Sequence, residues 1–266
     1  MVIPAYNEAA TIRDVVTRTL QYVRRVIVVD DGSTDGTADL LAGLPVSVLR
    51  NEFNSGKAAT LVRGMDAALK THCEAVITLD GDGQHRPEDI PALLAAYEES
   101  PDAIVIGARQ KNRAETPADR YFANRFADFW IAWAAGQPIE DTQSGFRIYP
   151  APVFQFVRPR CDRAASFVFE SEFLIEAGRR GVRLVGVPVA AIYELRGRRS
   201  HFRAVVDIAR IVRMVAWKLI SRGMDLPGLV RSRRMPTQMR YSSTSTTTMR
   251  PDSRNTQAMA KPAITE

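Results

Sequence analysis

The chain has 266 residues, 45% of them hydrophobic and 25% charged, enough for one large α/β core with an appended segment. Its two cysteines, Cys73 and Cys161, have neither CxxC spacing nor partners for a disulfide framework, which points to a reducing compartment. Residues 196–266 carry 15 basic against 4 acidic side chains while the preceding part is net acidic, and with few aromatics and no nucleic-acid-binding motif this basic end favours an anionic membrane or phosphate groups over nucleic acid.

In chain order, a strand near 1–4 ends in Ala5-Tyr6-Asn7-Glu8, with no signal peptide before it and a start at Met1 abrupt enough to suggest missing N-terminal residues. A helical period follows through Ile12, Val15, Val16 and Leu20, within 9–21. A β-branched strand near 26–30 leads into Asp30-Asp31-Gly32-Ser33-Thr34-Asp35-Gly36-Thr37, and a short helix is expected near 37–42. After a strand near 46–49, Asn54, Gly56 and Lys57 superficially resemble a phosphate loop, but its first glycine is missing and Ala58 replaces the needed Ser or Thr. Lys57 is read as the start of a helix over 57–70.

The next strand, near 75–80, runs into Asp80-Gly81-Asp82-Gly83-Gln84-His85, with Pro87 and Pro91 marking a helix near 88–98 and Pro101 closing the unit. A strand near 103–108 ends at Arg109, and an amphipathic helix near 117–135 carries Arg120, Asn124 and Arg125. Glu140-Asp141-Thr142-Gln143-Ser144-Gly145-Phe146-Arg147 follows, then a helix near 170–180 and a strand near 183–189. Arg196-Gly197-Arg198-Arg199-Ser200-His201 leads to a helical stretch from Arg203 to Ile220 whose charges fall on one side and are too frequent for a membrane span. An interfacial helix fits this pattern, with Arg210, Arg213 and Lys218 on the polar face, as does a helix packed on the domain or in a dimer. The organisation expected is a domain over 1–200, a basic amphipathic segment over 201–230 and a disordered tail over 231–266 rich in Ser, Thr, Arg and Met.

The alternation of strands and helices predicts a mostly parallel sheet with ligands beyond the carboxyl ends of its strands. Asp80 and Asp82, two residues apart behind an apolar run, suit a hard divalent cation such as Mg2+ or Mn2+, with Gln84 beside them and substrate phosphates completing the shell. The second acidic cluster at Asp30 and Asp31 would face the same crevice.

Taken together, VIPAYNE, VVDDGSTDGT, NSGKAATLVRG, LDGDGQH and DTQSGFR resemble a family 2 glycosyltransferase of the GT-A, Rossmann-like fold, and more narrowly the branch that makes dolichyl- or polyprenyl-phosphate sugars. The resemblance runs from Met1 to about Val206 and implies an inverting, metal-dependent transfer from a nucleoside-diphosphate sugar to a polyprenyl phosphate. It implies base and ribose contacts at Pro4, Tyr6, Glu8, Val29 and Asp31, with Asp30 a supporting acid. It places metal contacts at Asp80, Asp82 and Gln84, a positive charge near the phosphates at Arg109, and an acceptor site at Asp141 and Arg147. Asp141 would act as base or orient the acceptor, and Arg147 would bind its phosphate or pair with Asp141. The branch often carries Ser-Lys where this chain has Ser200-His201, so acceptor phosphate contacts shift to Arg198, Arg199 or His201, with Arg120, Asn124 and Arg125 facing the acceptor or solvent.

A location at the inner, cytoplasmic face of the membrane follows, reached through the basic helix, a membrane protein partner or a homodimer. The same donor chemistry with a soluble or saccharide acceptor is the alternative. A haloacid-dehalogenase-like phosphatase fits less well because Gln84 stands where such enzymes need Thr or Val, and a calcium loop fails because its twelfth position is Pro91. A non-catalytic scaffold would not need the intact acids.

Overall fold

The computed structural model describes residues 1–109, 118–157, 168–190, 192 and 204–234. Its strands are β1 (Val2–Ala5), β2 (Ile27–Asp30), β3 (Ser47–Arg50), β4 (Ala75–Thr78), β5 (Ile104–Arg109), β6 (Arg147–Pro150) and β7 (Leu184–Val189). Its helices are α1 (Ile12–Thr19), α2 (Lys57–Leu69), α3 (Ile90–Glu99), α4 (Ala118–Ala135), α5 (Val153–Phe156), α6 (Phe169–Arg179), α7 (Ala204–Ile220) and α8 (Leu226–Ser232).

The described strands form one sheet in the order β3-β2-β1-β4-β6-β5-β7. Burial on both faces explains why these strands read as unbroken apolar runs. Alternate side chains divide between two cores. Val2, Val29, Ile104 and Ile106 join Leu61 and Met65 of α2 and Phe173 of α6 on one face, whereas Ile3, Val28 and Val105 meet Ile12, Val16 and Leu93 on the other. Gly64 lets α2 lie directly on the sheet, since a Cβ there would sit 2.4 Å from Val2 Cγ1.

The strand order creates the site. From β1 the chain proceeds through β2 to β3 on one side, then crosses to β4 on the other, and such a reversal opens a crevice beyond the carboxyl ends of the strands. Thr11 Oγ1 donates to Gly81 O at 2.7 Å across this opening, tying the turn after β1 to the turn after β4.

Two sequence expectations change here. β6 is an additional strand, antiparallel to both β4 and β5 and wedged between them. Arg147 therefore opens a central strand; its side chain has no exposed surface and donates to Thr142 O at 2.9 Å, Glu170 O at 3.2 Å and Tyr149 Oη at 3.1 Å. A guanidinium held in this way braces the interior and does not reach an acceptor phosphate, nor does it pair with Asp141.

The second change concerns α7. Ile211, Val215 and Leu219 are buried in the core that also contains Ile131 and Trp133 of α4. Lys218, expected on the polar face of an interfacial helix, instead turns inward to Glu172 at 3.0 Å and Glu176 at 2.5 Å. The outward face carries Arg213, Trp217 and Ile220, so it mixes cationic and apolar groups. Beyond it Asp225 caps α8 by accepting from Gly228 N at 3.0 Å, and helix continues to Ser232, past the expected start of the disordered tail. Among the described residues no helix is long and apolar enough to cross a membrane.

Candidate functional site

The turn after β1 is locked to the turn after β2. Asn7 N donates to Ser33 Oγ, Glu8 N to Thr37 Oγ1 and Ala9 N to Asp35 Oδ2, while Thr34 N donates to Asn7 Oδ1. Asn7 is left-handed at φ 55°, a conformation Asn tolerates, and it carries the chain sharply over the strand end. Tyr6 and Glu8 are left half-buried at the mouth of the crevice.

Asp30 and Asp31 are both buried, but their charges are spent locally. Asp30 accepts from Ser33 N and pairs with Arg50 Nε at 3.2 Å. Asp31 accepts from Asn51 Nδ2 at 2.7 Å, Ser55 N at 2.9 Å and Gly56 N at 2.9 Å, holding the loop that starts α2. The expected ribose or base contact thus meets a carboxylate committed to its own backbone. Pro4 and Val29 are buried within β1 and β2, Val29 against α2, so neither side chain lies open to a nucleotide.

The turn after β4 is different. Lys57, at the first position of α2, reaches Asp80 with Nζ 2.9 Å from Oδ1 and 3.0 Å from Oδ2, and Glu170 of α6 at 3.2 Å. Burial would raise the Asp80 pKa, but the Lys57 ammonium outweighs it and holds that carboxyl below the ordinary range. Asp82 accepts from Gln84 N at 3.0 Å, and burial together with the adjacent Asp80 charge raises its pKa to about 6. One ammonium therefore serves a pair of carboxylates that repel each other. Gly145 comes so close that a Cβ there would lie 2.2 Å from Asp80 Oδ2.

His85 completes this wall. Its ring lies 5.6 Å from that of Phe146, its Nδ1 has no hydrogen-bond partner, and burial followed by repulsion from Arg109 lowers its pKa to about 4, leaving it neutral at neutral pH.

Opposite stands the buried pair of Arg109 and Asp141. Arg109 Nε and Nη2 donate to the two carboxylate oxygens at 2.7 and 2.8 Å, and Arg109 N donates to Oδ2 at 2.9 Å. Such a bidentate pair fixes both planes. Asp141 has φ 49°, and the loop after it is anchored by Asp128 of α4, whose Oδ1 accepts from both Thr142 N and Thr142 Oγ1. Ser144 Oγ donates to Gly107 O and Thr78 Oγ1 to Gly145 O, fastening the loop to β5 and β4.

The structure thus brings Tyr6, Glu8, Asp80, Asp82, Gln84, Arg109 and Asp141 to the carboxyl ends of β1, β4 and β5. Asn124 and Arg125 lie along α4, while Arg198, Arg199, His201 and the side chain of Arg120 fall outside the described residues. Lys57, His85, Asp128 and Glu170 were not expected in site roles. Lys57 had a visible signal, being a lysine directly behind a glycine turn at a helix start, but its partners are 23 and 113 residues away.

The donor set fits a divalent cation. Among the described residues no three His, Cys, Asp or Glu side chains group around one point. The two carboxylates of Asp80 and Asp82 are the number that Mg2+ or Mn2+ accepts when a substrate diphosphate and water or an amide supply the other oxygens.

Residues 1–154 match the model of glycosyl transferase family 2. The UDP-N-acetylglucosamine–dolichyl-phosphate N-acetylglucosaminyltransferase of Methanococcus voltae is 28% identical over 73% of this chain and 85% of its own length. The undecaprenyl-phosphate mannosyltransferase of Micrococcus luteus is 26% identical over 83% and 94%. Among solved structures, glucosyl-3-phosphoglycerate synthase of Mycobacterium tuberculosis, crystallised with Mn2+, UDP and phosphoglyceric acid, superposes with a TM-score of 0.61 at 20% identity, covering 83% of this chain and 76% of that one. At that identity the superposition supports the GT-A fold alone.

Proposed function

From the premise that the chain belongs to glycosyl transferase family 2 and is a glycosyltransferase, we propose that it moves a sugar from a nucleoside-diphosphate donor to a polyprenyl phosphate, with inversion at the anomeric carbon and with Mg2+ or Mn2+. The observation carrying this reading is the Asp80–Asp82 pair, two carboxylates two residues apart at the carboxyl end of β4 beside the crevice, which a divalent cation would neutralise while bridging to a diphosphate. The Methanococcus and Micrococcus relatives, named for dolichyl-phosphate and undecaprenyl-phosphate acceptors, support the lipid half of the proposal.

Asp82, with Asp80 and the Gln84 amide, would hold the metal. When bound, it supplies positive charge to the departing diphosphate. Tyr6 and Glu8 face the nucleoside at the mouth of the crevice. Lys57 fixes the Asp80 carboxylate. An acceptor phosphate oxygen forms the bond to the anomeric carbon as the bond to the diphosphate oxygen breaks; a phosphate anion has no proton that must leave first. Asp141, engaged on both oxygens by Arg109, serves to aim that guanidinium and not to accept a proton. Arg109 offsets the repulsion between incoming phosphate and donor.

Access to a lipid falls to the outward side of the last helices, where Trp217, Ile220, Leu226 and Val230 are exposed and Arg213 lies beside the first two. This combination suits the boundary of an anionic membrane. The test is a panel of UDP- and GDP-sugars, each offered with undecaprenyl phosphate and with 3-phosphoglycerate under Mn2+. Glycolipid formation is expected. Transfer to the soluble phosphate alone would replace the lipid acceptor by a soluble one.

A further inference from the structure

A second charged cavity lies at the far end of the sheet from this chemistry. It encloses about 520 Å³ between the ends of α4 and α6 and the turn joining α7 to α8. Gln137, just beyond α4, bonds to Val182 O and Leu184 N at the start of β7. Arg109 pairs in register with Val189 at the other end of that strand, five residues or roughly 16 Å along it.

Among the described residues four arginines line the cavity, Arg179, Arg180, Arg222 and Arg231, against the two acids Glu176 and Asp225. Two positive charges are therefore left over. The pairings show the shortage of acid directly. Glu176 is divided among Lys218 at 2.5 Å, Arg180 at 2.6 Å and Arg222 at 3.3 Å. Asp225 is divided between Arg179 at 3.4 Å and Arg231 at 3.6 Å, both longer than a charge-assisted bond of full strength.

The carbonyls at the helix ends, which would repel an anion, are already covered: Arg179 Nε donates to Ala134 O at 3.0 Å and Arg231 Nε to Gly136 O at 3.3 Å. A guanidinium offers five N–H donors, so Arg222 and Arg231 retain capacity on the cavity side. Ala135, Gly136 and Gly178 keep the floor low. Burial, more than any neighbouring charge, lowers the pKa of Arg179; Arg222 adds to the lowering, while Asp225 and Glu176 oppose it.

We propose that this cavity binds a phosphate group through Arg222, Arg231 and Arg179, at a site separate from the catalytic crevice. Ile220, Met224 and Leu226, exposed on the same turn, would flank a bound group with apolar surface. The phosphate can be that of an anionic lipid headgroup or of a free phosphorylated ligand.

The test is calorimetric titration of the full chain with inorganic phosphate, comparing the parent with Arg222→Ala/Arg231→Ala and with Asp225→Asn. The double variant loses two charge-assisted contacts and should bind at least about tenfold more weakly. Asp225→Asn keeps an oxygen for the α8 cap but frees two arginines, and should bind more tightly. Circular dichroism melts confirm that both variants fold. Equal phosphate affinity in all three proteins overturns the site, because the remaining binding would belong to the catalytic crevice. Loss of binding to phosphatidylglycerol vesicles by the double variant assigns the phosphate to a lipid headgroup. Unchanged vesicle binding beside weakened phosphate binding assigns it to a free ligand.

Discussion

The turns after β2 and β4 look alike in sequence, each a β-branched run followed by Asp and Gly, yet they hold their charge in opposite ways. After β2, Asp31 is satisfied by two backbone N–H groups and an amide, while Asp30 accepts from Ser33 N and its Oδ2, 3.2 Å from Arg50 Nε, makes no hydrogen bond. After β4, Asp80 shares a lysine with Glu170, and Asp82 sits in the field of Asp80 with its pKa lifted to about 6. The same residue types thus build a brace in one place and a strained charge pair in the other. What separates them is which groups the fold brings to them, loop amides at Asp31 and the Lys57 ammonium at Asp80, a property of the folded neighbourhood and not of the motif.

The sharpest division should come from Asp82→Asn. Removing this carboxylate should lower transfer by at least about a hundredfold and weaken Mn2+ binding, with a melting temperature equal to or above that of the parent. Near-parent turnover at saturating Mn2+ would remove Asp82 from the metal site.

Asp31→Ala should do the reverse. Stranding Ser55 N, Gly56 N and the Asn51 amide should cost about 2–3 kcal/mol of stability in denaturant unfolding, since each buried donor left unmade carries its own penalty. A stable Asp31→Ala protein with lost nucleotide affinity would turn this brace into a donor contact.

Lys57→Met tests whether the lysine balances the pair. Transfer should fall about tenfold, and the thermal shift on adding Mn2+ should exceed that of the parent, because the cation then replaces the positive charge that Lys57 supplied to Asp80. A smaller Mn2+ shift would make Lys57 a support for the metal site.

The smallest effect is on pH. In metal-free protein Asp82 has a folded pKa of about 6 against an ordinary carboxyl value of 3.8, so it binds its proton more tightly when folded. The associated stability is complete below about pH 4 and is lost as pH rises through 6, on the order of 1 kcal/mol after allowance for screening. Asp82→Asn should flatten that slope; an unchanged slope in unfolding measured with EDTA would place the titration elsewhere.

Much of the fold was legible because five strands announce themselves as buried apolar runs, the sixth, β3, being an exposed edge strand, and the sheet reversal follows from their connections. β6 was not, since Arg147-Ile148-Tyr149-Pro150 contains a charge and a proline and gains its place only by pairing with both β4 and β5. Arg147 was misplaced for the same reason: an arginine beside an acidic loop reads as a ligand until Thr142 O, Glu170 O and Tyr149 are known to surround it. The helical period of α7 placed Arg213 on the outward face, as observed, but set Lys218 on the same polar side. It could not reveal that Glu172 and Glu176 of α6 would draw Lys218 inward and leave Trp217 outside.

The position of β6 also constrains how such enzymes can exchange parts. Because β6 is inserted between β4 and β5, the segment carrying Asp141 is stitched into the strand that ends at the Asp80–Asp82 turn. A chimera importing another loop in place of 136–146, with its junction at residue 150, would have to reproduce the pairing of Arg147–Pro150 with Ala75–Thr78. Recombination at this boundary therefore transmits any error in strand register directly to Asp80 and Asp82, whereas replacement of the loop between Gly136 and Ser144 alone leaves that register intact.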